Sequence, residues 1–425
     1  MLRKILETIG TRYLVALLNL ALIFINAKIL GIAGVGMVGL IVASINIAII
    51  FNGILSGGTL VYFMNRYSMR TILPLAYLWN FVGSALACAA LAAVGMLPRA
   101  YEADIYLLAI LNSLVTANSR FLLGNDRVKG FNLTFLLQGG SLFFLLLFLY
   151  YGLRHTEVRA YVWGLYLANG IALVVSTALL VPLWRREKSL RDAPPLPRLL
   201  REMFAYGLWA GADSLAETLT TRLNYFLIER FCGLGCVGLL DAGTKMSESV
   251  WHISRSVSFI EYSQVAKTTD AAEQKRVTLR LFKLTLGAMT LVMGGIAAIP
   301  EWVYTDYLFD AEFAGMRDVI LCLSTGIVAL GCNSVVGHYF IGSGKIPYSA
   351  ACSGIGLAVL LVAGLFLIPP YGTLGAAIST SVAFTAMLAF SLVQFARQTA
   401  TTFREFLPNR SDWAYLRQAL RRAKA

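Results

Sequence analysis

Five ionisable residues share one face of a single apolar segment near the middle of the chain. Asp241, Lys245, Glu248, His252 and Arg255 follow one another at alternating spacings of four and three residues. At about 100° per residue, this spacing places all five side chains within an arc of about 80° on a helix. A charged side chain at the bilayer centre costs roughly 2.5–3.5 kcal/mol on insertion scales, so such residues usually face a partner or a cavity. The stripe therefore predicts that these five residues line a polar substrate cavity.

A second polar stripe lies on the preceding apolar segment. Asp213, Glu217, Thr220 and Asn224 share one helix face at the same spacing, and we expect Asn224 to line the same substrate cavity. Asp213 and Glu217 have no cation on that face, so the two carboxyl groups should compete for ionisation and one can hold a proton. We therefore expect Asp213 and Glu217 to bind a coupling ion, either a proton or sodium. Arg222 points to the opposite side and should contact another helix or extend towards the membrane surface.

The same charges also allow a purely structural interpretation. Lys245 lies one helical turn from both Asp241 and Glu248, and Glu248 lies one turn from His252. Pairs at this spacing within one helix could neutralise most of the charge without any cavity. The Asp213–Glu217 pair, which such a ladder leaves unneutralised, favours the cavity.

The elements that must position these residues are membrane helices. The chain has 425 residues, of which 58% are hydrophobic and 14% charged, whereas soluble domains are nearer half apolar and a quarter charged. Apolar runs of about 20 residues, enough to span a bilayer as a helix, recur throughout. These features exclude a soluble enzyme, a disordered chain and a nucleic-acid-binding domain, and predict an all-α polytopic membrane protein. We predict about twelve spans, near residues 13–30, 37–57, 71–97, 104–123, 131–151, 160–184, 204–230, 237–260, 280–300, 319–341, 347–369 and 374–396.

The distribution of Lys and Arg predicts the orientation of these spans. With the amino terminus in the cytoplasm, 27 of the 36 Lys and Arg residues fall in inside segments and five in outside segments. Basic residues accumulate on the cytoplasmic side of membrane proteins. Both termini are therefore predicted to be cytoplasmic.

A polar, proline-containing break divides the predicted spans into two sets of six. The predicted domains are an N-terminal six-helix bundle (1–190), a cytoplasmic linker (191–201), a C-terminal six-helix bundle (202–396) and a basic cytoplasmic tail (397–425). An even number of spans gives both halves the same orientation, which predicts a parallel, pseudo-symmetric repeat. Transporters with internal repeats bind substrate near the interface between the repeats.

Short glycine-containing matches support the repeat. The turn after the first span of each half matches at one constant offset: Gly31, Val35 and Gly36 with Gly233, Val237 and Gly238. A weaker match lies at the inside turn before the fifth span of each half: Gly124 and Arg127 with Gly342 and Lys345.

The sequence indicates neither a metal centre nor a cofactor. Cys232 and Cys236 are close together near an outer turn, but no His or further Cys cluster accompanies them. We therefore predict no metal site and no disulfide framework. His338 is the lone histidine of its span and is expected to be structural.

Three segments resemble those of the polysaccharide-biosynthesis flippases. Residues 27–40 (AKILGIAGVGMVGL) resemble the first inter-helix turn of that family, and residues 236–243 (CVGLLDAG) resemble the start of its eighth helix, with Leu where Tyr is usual. Residues 340–347 (FIGSGKIP) and 370–380 (PYGTLGAAIST) are similar to the family's Gly-Lys turn and to the glycine-rich segment one helix later. The family belongs to the multidrug, oligosaccharidyl-lipid and polysaccharide exporter (MOP) superfamily.

The resemblance implies a multi-pass protein of the bacterial inner (cytoplasmic) membrane. It also implies alternating access and the export of undecaprenyl-diphosphate-linked oligosaccharides for O-antigen, capsule or exopolysaccharide synthesis. In that function, Lys245, His252 and Arg255 would contact phosphate or sugar, and the carboxylates would contact a cation or sugar hydroxyls. The expected partners are the lipid-linked oligosaccharide, a proton or sodium, membrane lipid and a glycan polymerase, with no nucleic acid.

Two other functions compete with this one. A multidrug/cation antiporter of the same superfamily would need the same fold, but the cavity cations disfavour cationic drugs. A membrane enzyme such as a polysaccharide polymerase or ligase would need catalytic residues in a sizeable outer loop. The longest predicted outer segment, residues 301–318, carries no such set.

Overall fold

The computed structural model is helical throughout the part of the chain that it describes, which is residues 2–64, 66–187, 195–251, 254–255, 257–258, 261, 265, 268 and 270–406. His252 lies outside the described residues, as do parts of the predicted linker and basic tail. The α-helices within the described ranges are α1 (Leu2–Ser56), α2 (Gly58–Phe63), α3 (Met69–Ala93), α4 (Glu102–Gly124), α5 (Val128–Leu147), α6 (Val158–Arg186), α7 (Leu196–Cys232), α8 (Leu234–Glu248), α9 (Ala271–Ala297), α10 (Met316–Gly342) and α11 (Ile346–Thr399).

Eight helical stretches of the described chain are long and apolar enough to cross a membrane. Two of them, Gly10–Phe63 and Pro347–Thr399, have 54 and 53 residues, whereas one crossing needs only about 20. Each is kinked at a glycine with positive φ, Gly31 (66°) in α1 and Gly372 (52°) in α11. Glycine adopts positive φ readily because it has no Cβ. Each long helix therefore consists of two segments, while the total of twelve crossings and the location of the termini stay predictions.

The backbone adopts the same conformation at the first pair of matched turns. Gly31 has φ 66° and ψ 177°, and Gly233, between α7 and α8, has φ 82° and ψ −176°. The residues at this turn that match in sequence therefore also match in structure, which supports the predicted internal repeat.

The second pair of matched turns also agrees. Both turns contain a residue with positive φ, 59° at Asp126 and 77° at Gly344. The next residue closes each turn in the same way: its N–H donates to a carbonyl five residues earlier, at 2.8 Å from Arg127 and 2.7 Å from Lys345. The weaker sequence match thus marks a second structurally equivalent position.

The two halves meet through glycines where the second segment of α1 packs against the start of α8. A Cβ atom on Gly36 would overlap the carbonyl oxygen of Leu234, and one on Gly238 would overlap the carbonyl oxygen of Ile32. The backbones approach each other this closely because neither residue has a side chain.

A loop of the second half that is predicted to lie outside also reaches the kink in α1. The Ile32 N–H, just after Gly31, donates to Glu312 Oε2 at 2.9 Å. Nearby, Lys28 Nζ donates to the Tyr307 carbonyl at 2.8 Å. The kink leaves backbone N–H groups without partners inside the helix, and Glu312 caps one of them from the other half.

The prediction that the cysteines near the turn between α7 and α8 form no disulfide is wrong. Cys232 and Cys236 form a disulfide, with their Cα atoms 5.8 Å apart. The glycine turn at Gly233 brings the last residue of α7 beside the first turn of α8, at a separation usual for disulfides. The sequence spacing alone did not reveal this turn.

Candidate functional site

The two predicted coupling carboxylates lie one turn apart on α7. Asp213 Oδ2 accepts a hydrogen bond from Ser349 Oγ of α11 at 3.4 Å, and its Oδ1 is buried without a hydrogen-bond partner. Glu217 is exposed, and the charges of Asp213 and Arg255 both act on it, with opposite sign. The carboxylates are therefore neighbours, as the stripe predicts, and Arg255 supplies the cation that their face of α7 lacks.

Three arginines from both halves of the protein come together at the same place. The guanidinium of Arg12, on α1, is close enough to Arg120, on α4, and to Arg255 for their like charges to act on it. All three side chains are exposed. Arg12 and Arg120 belong to the first half and Arg255 to the second, so positive charges from both halves act on Arg12.

Aromatic contacts position two of these arginines. The guanidinium carbon of Arg255 lies 4.0 Å from the ring centre of Trp251, whose indole N–H donates to Ser334 Oγ of α10 at 3.0 Å. The guanidinium carbon of Arg12 lies 5.8 Å from the ring centre of Phe135 on α5. A cation over an aromatic face is attracted by the ring quadrupole and keeps its remaining faces available.

The repeat places a basic residue at the same position in each half. The offset that matches Gly124 with Gly342 also matches Arg120 with His338 on α10. The charge of Arg255 acts on His338, whose Nδ1 lies 2.7 Å from the Ser334 carbonyl oxygen. Hence α4 and α10 each carry a basic residue at this position.

Neither Arg12 nor Arg120 is among the residues that the sequence predicts for the site. Arg12 lies one heptad before Asn19 on α1, and Arg120 lies within the fourth predicted span. A basic residue inside an apolar span is the signal that could have identified Arg120.

The polar stripe that begins on α8 contains two ion-paired carboxylates. Lys245 Nζ is 2.6 Å from Asp241 Oδ2, and Asp241 is only 1% exposed. Glu248 Oε2 is 2.8 Å from a guanidinium nitrogen of Arg222 on α7. Arg222 therefore contacts another helix, one of the two alternatives for it. Asp241 and Glu248 are each neutralised by a partner, while the charge of Arg255 acts on Arg12.

Asn224 occupies a different place from the one expected. Its Nδ2 donates to the Ala376 carbonyl at 2.9 Å, to Ser379 Oγ at 3.0 Å and to Thr380 Oγ1 at 2.8 Å. With 3% exposure, Asn224 fastens α7 to the second segment of α11. Here the amide satisfies polar groups of a neighbouring helix.

Comparison with known protein families identifies the family of this chain. Residues 1–250, more than half of its length, match the family model described as polysaccharide biosynthesis protein. The chain belongs to the polysaccharide biosynthesis protein family. This family member is a multi-pass membrane protein, as its long apolar helices show.

Two curated proteins similar to this family member are uncharacterized membrane proteins. One is MJ1068 of Methanocaldococcus jannaschii, 23% identical over 198 residues, which are 46% of this chain and 39% of the relative. The other is YabM of Bacillus subtilis strain 168, 26% identical over 160 residues, which are 37% of this chain and 30% of the relative. The alignments thus span less than half the length of either relative.

Solved structures share the fold of this family member over nearly its whole length. An inward-facing multidrug resistance MATE family transporter of the MOP superfamily has a TM-score of 0.73 at 12% identity, covering 91% of this chain and 94% of the other. The lipid II flippase MurJ in an inward closed conformation has a TM-score of 0.68 at 12% identity, covering 95% and 89%. An outward-facing MATE family transporter has a TM-score of 0.53 at 14% identity, covering 93% and 94%.

Proposed function

We propose that this transporter carries a diphosphate-linked, lipid-anchored oligosaccharide from the inner to the outer leaflet of the membrane. The observation that carries the proposal is the meeting of Arg12 and Arg120 from the first half with Arg255 from the second. Guanidinium groups bind phosphate oxygens through paired hydrogen bonds, and they stay charged at all physiological pH values. The diphosphate and sugars would occupy the space beside these arginines, while the lipid tail stays in the bilayer.

The charge balance favours an anionic cargo over a cationic one. Three arginines meet there, whereas Asp213 and Glu217 provide two carboxyl groups that disfavour each other's ionisation. A cationic drug would have to approach these arginines without a compensating excess of negative charge. The multidrug/cation antiporter is therefore the weaker candidate. Polysaccharide biosynthesis, the process in the family's description, and the lipid II cargo in MurJ's name agree with an anionic, lipid-linked cargo.

The contact between Arg255 and Glu217 suggests how an ion is coupled to transport. Without cargo, the charge of Arg255 favours ionised Glu217. A bound diphosphate would compete for Arg255 and weaken that interaction, so Glu217, beside Asp213, would then take up a proton or sodium. Cargo and coupling ion would thereby influence each other through a single arginine.

The contacts between the halves support an inward-facing state. With the predicted orientation, the Glu312–Ile32 and Lys28–Tyr307 hydrogen bonds close the outer side. The higher TM-score with the inward-facing MATE transporter than with the outward-facing one, 0.73 against 0.53, agrees with this. Release to the outside would require these contacts to separate, after which a glycan polymerase could use the exported unit.

Deletion of the gene tests the proposal in the organism that makes the protein. The expected result is loss of one surface glycan and accumulation of its lipid-linked precursor on the inner leaflet, with both defects corrected by the unmodified gene. An intact surface glycan together with altered drug tolerance would instead support the antiporter.

A further inference from the structure

A fully buried carboxyl group lies in the second half and is not part of the arginine site, by which we mean Arg12, Arg120 and Arg255. The Glu261 side chain is 0% exposed. Its Oε1 accepts a hydrogen bond from Thr278 Oγ1 of α9 at 2.8 Å, and its Oε2 is buried without a hydrogen-bond partner. Only one of the two carboxyl oxygens of Glu261 therefore has a hydrogen-bond partner, and Glu261 has no role in the transport mechanism proposed above.

Among the residues that the structure describes, the surroundings of Glu261 are largely apolar. Val265, one turn further along the chain, and Leu279, beside Thr278, belong to one hydrophobic cluster with Tyr339. No described Lys or Arg exerts a resolved electrostatic effect on Glu261, and Thr278 is its hydrogen-bonding partner. The titratable group that senses its charge is Tyr339 of α10, and Lys345 Nζ contacts the Tyr339 hydroxyl at 3.4 Å.

An isolated carboxylate in such surroundings has a large desolvation cost, several kcal/mol even after relaxation. The group avoids this cost by taking up a proton. Sodium would need a shell of about six oxygen ligands, as hard cations generally do, whereas the hydrophobic cluster provides few. The surroundings therefore favour a proton over a metal ion.

We propose that Glu261 is a proton-binding site in the second half, separate from the Asp213–Glu217 pair. It holds its proton while α9 and α10 are packed around it as in this structure. Loss of the proton favours an arrangement in which water reaches the carboxylate, so the packing of this bundle depends on pH. The inference concerns the protein's conformation and does not depend on the identity of the cargo.

Infrared spectroscopy of the purified, lipid-reconstituted protein tests the protonation directly. A protonated carboxyl group has a carbonyl stretch that a carboxylate lacks. We expect such a band at neutral pH in the Asp213→Asn/Glu217→Gln double variant, which keeps Glu261. Adding Glu261→Gln should remove the band, and adding Thr278→Val should leave it. Absence of the band from the double variant, or its persistence after Glu261→Gln, would overturn the proposal.

Cys332 provides a native reporter of the packing, because it is 0% exposed and belongs to the same hydrophobic cluster. In a protein whose other free cysteines are replaced, alkylation of Cys332 is measured between about pH 6 and pH 9. The ionised fraction of a carboxyl group rises about tenfold per pH unit below its midpoint. Below the midpoint, we expect alkylation to accelerate by up to about tenfold more per pH unit in the protein that keeps Glu261 than in the Glu261→Gln variant. The comparison at equal pH removes the thiol's own pH dependence, and identical rates in both proteins would contradict the proposal.

Discussion

Arg222 on α7 and Glu248 on α8 form an ion pair across the two polar helices, with 2.8 Å between guanidinium nitrogen and carboxylate oxygen. Both side chains are mostly buried, and Arg222 also donates to the Tyr225 hydroxyl at 3.0 Å. The pair fixes the relative position of the helices that carry Asp213, Glu217 and the α8 stripe. It holds the site together without facing the space where cargo would bind.

Removing one member of this pair is expected to destabilise the protein. Arg222→Ala leaves Glu248 buried without a partner, which typically costs about 3–5 kcal/mol. The folded protein in the membrane, measured by size-exclusion profile and thermal unfolding, should fall strongly. The matched control is Arg198→Ala, which breaks the exposed Arg198–Glu202 pair and should change stability by less than about 1 kcal/mol. Equal effects of both variants would contradict the structural role.

Lys245 and Asp241 allow a rescue experiment. Lys245→Ala leaves the buried carboxylate of Asp241 without its ion-pair partner. Loss of one partner of a buried ion pair costs several kcal/mol of folding stability. The amount of folded protein should therefore decrease. Asp241→Asn removes the stranded charge, and the Lys245→Ala/Asp241→Asn double variant should therefore recover abundance relative to Lys245→Ala. Membrane abundance measured by quantitative immunoblot decides the result. A double variant no more abundant than the single one would show that the ion pair is not the cause.

Substitutions in the arginine site, which consists of Arg12, Arg120 and Arg255, should reduce export without reducing the amount of folded protein. Arg12→Ala, Arg120→Ala and Arg255→Ala remove exposed cations that already repel one another, so folded protein should stay near normal. Export should fall by roughly tenfold or more in each case, because a charge-assisted hydrogen bond is worth about 1.5–3 kcal/mol. Surface glycan and membrane abundance are measured together.

The control for the arginine site is Arg159→Ala, at a half-exposed arginine 3.7 Å from Asp104 and outside the site. It should retain full glycan display. Normal display by all three site variants would remove these arginines from the proposed mechanism.

The glycine contact between the halves predicts a conformational effect. Gly36→Ala places a methyl group against the Leu234 carbonyl, so the approach of α1 to α8 should be prevented. Cysteines introduced at Lys28 and Tyr307, which join the same outer contact, should cross-link less efficiently in this variant. Gly287→Ala is the matched control because its Cβ would meet no atom within 4 Å. Unchanged cross-linking in Gly36→Ala would show that the contact does not control closure.

Removing the cap on the kink of α1 should act in the same direction. Glu312→Ala leaves the Ile32 N–H without its partner from the other half, and loss of such a cap costs about 0.5–2 kcal/mol. The same Lys28–Tyr307 cysteine pair should therefore cross-link more slowly than in the unmodified protein. Glu157→Ala, at an exposed carboxylate preceding α6, should leave the rate unchanged. Faster cross-linking in Glu312→Ala would be opposite to the expected effect.

Much of the fold could be predicted from the sequence because its signals are local. Membrane helices follow from apolar runs of bilayer length, and the two polar stripes follow from helical periodicity. The repeat follows from glycines that a turn requires, and the matched backbone conformations of Gly31 and Gly233 agree with it. The neighbouring positions of Asp213 and Glu217 on one helix needed no tertiary information.

Only the tertiary structure decided which faces meet. Arg12, Arg120 and Arg255 come from three distant segments, so their meeting depends on how the helices pack between the two halves. Packing also pairs Glu248 with Arg222 and turns Asn224 towards α11. Helical periodicity determines the side of a helix on which a residue lies, and the partner on that side is determined by contacts between segments far apart in the chain.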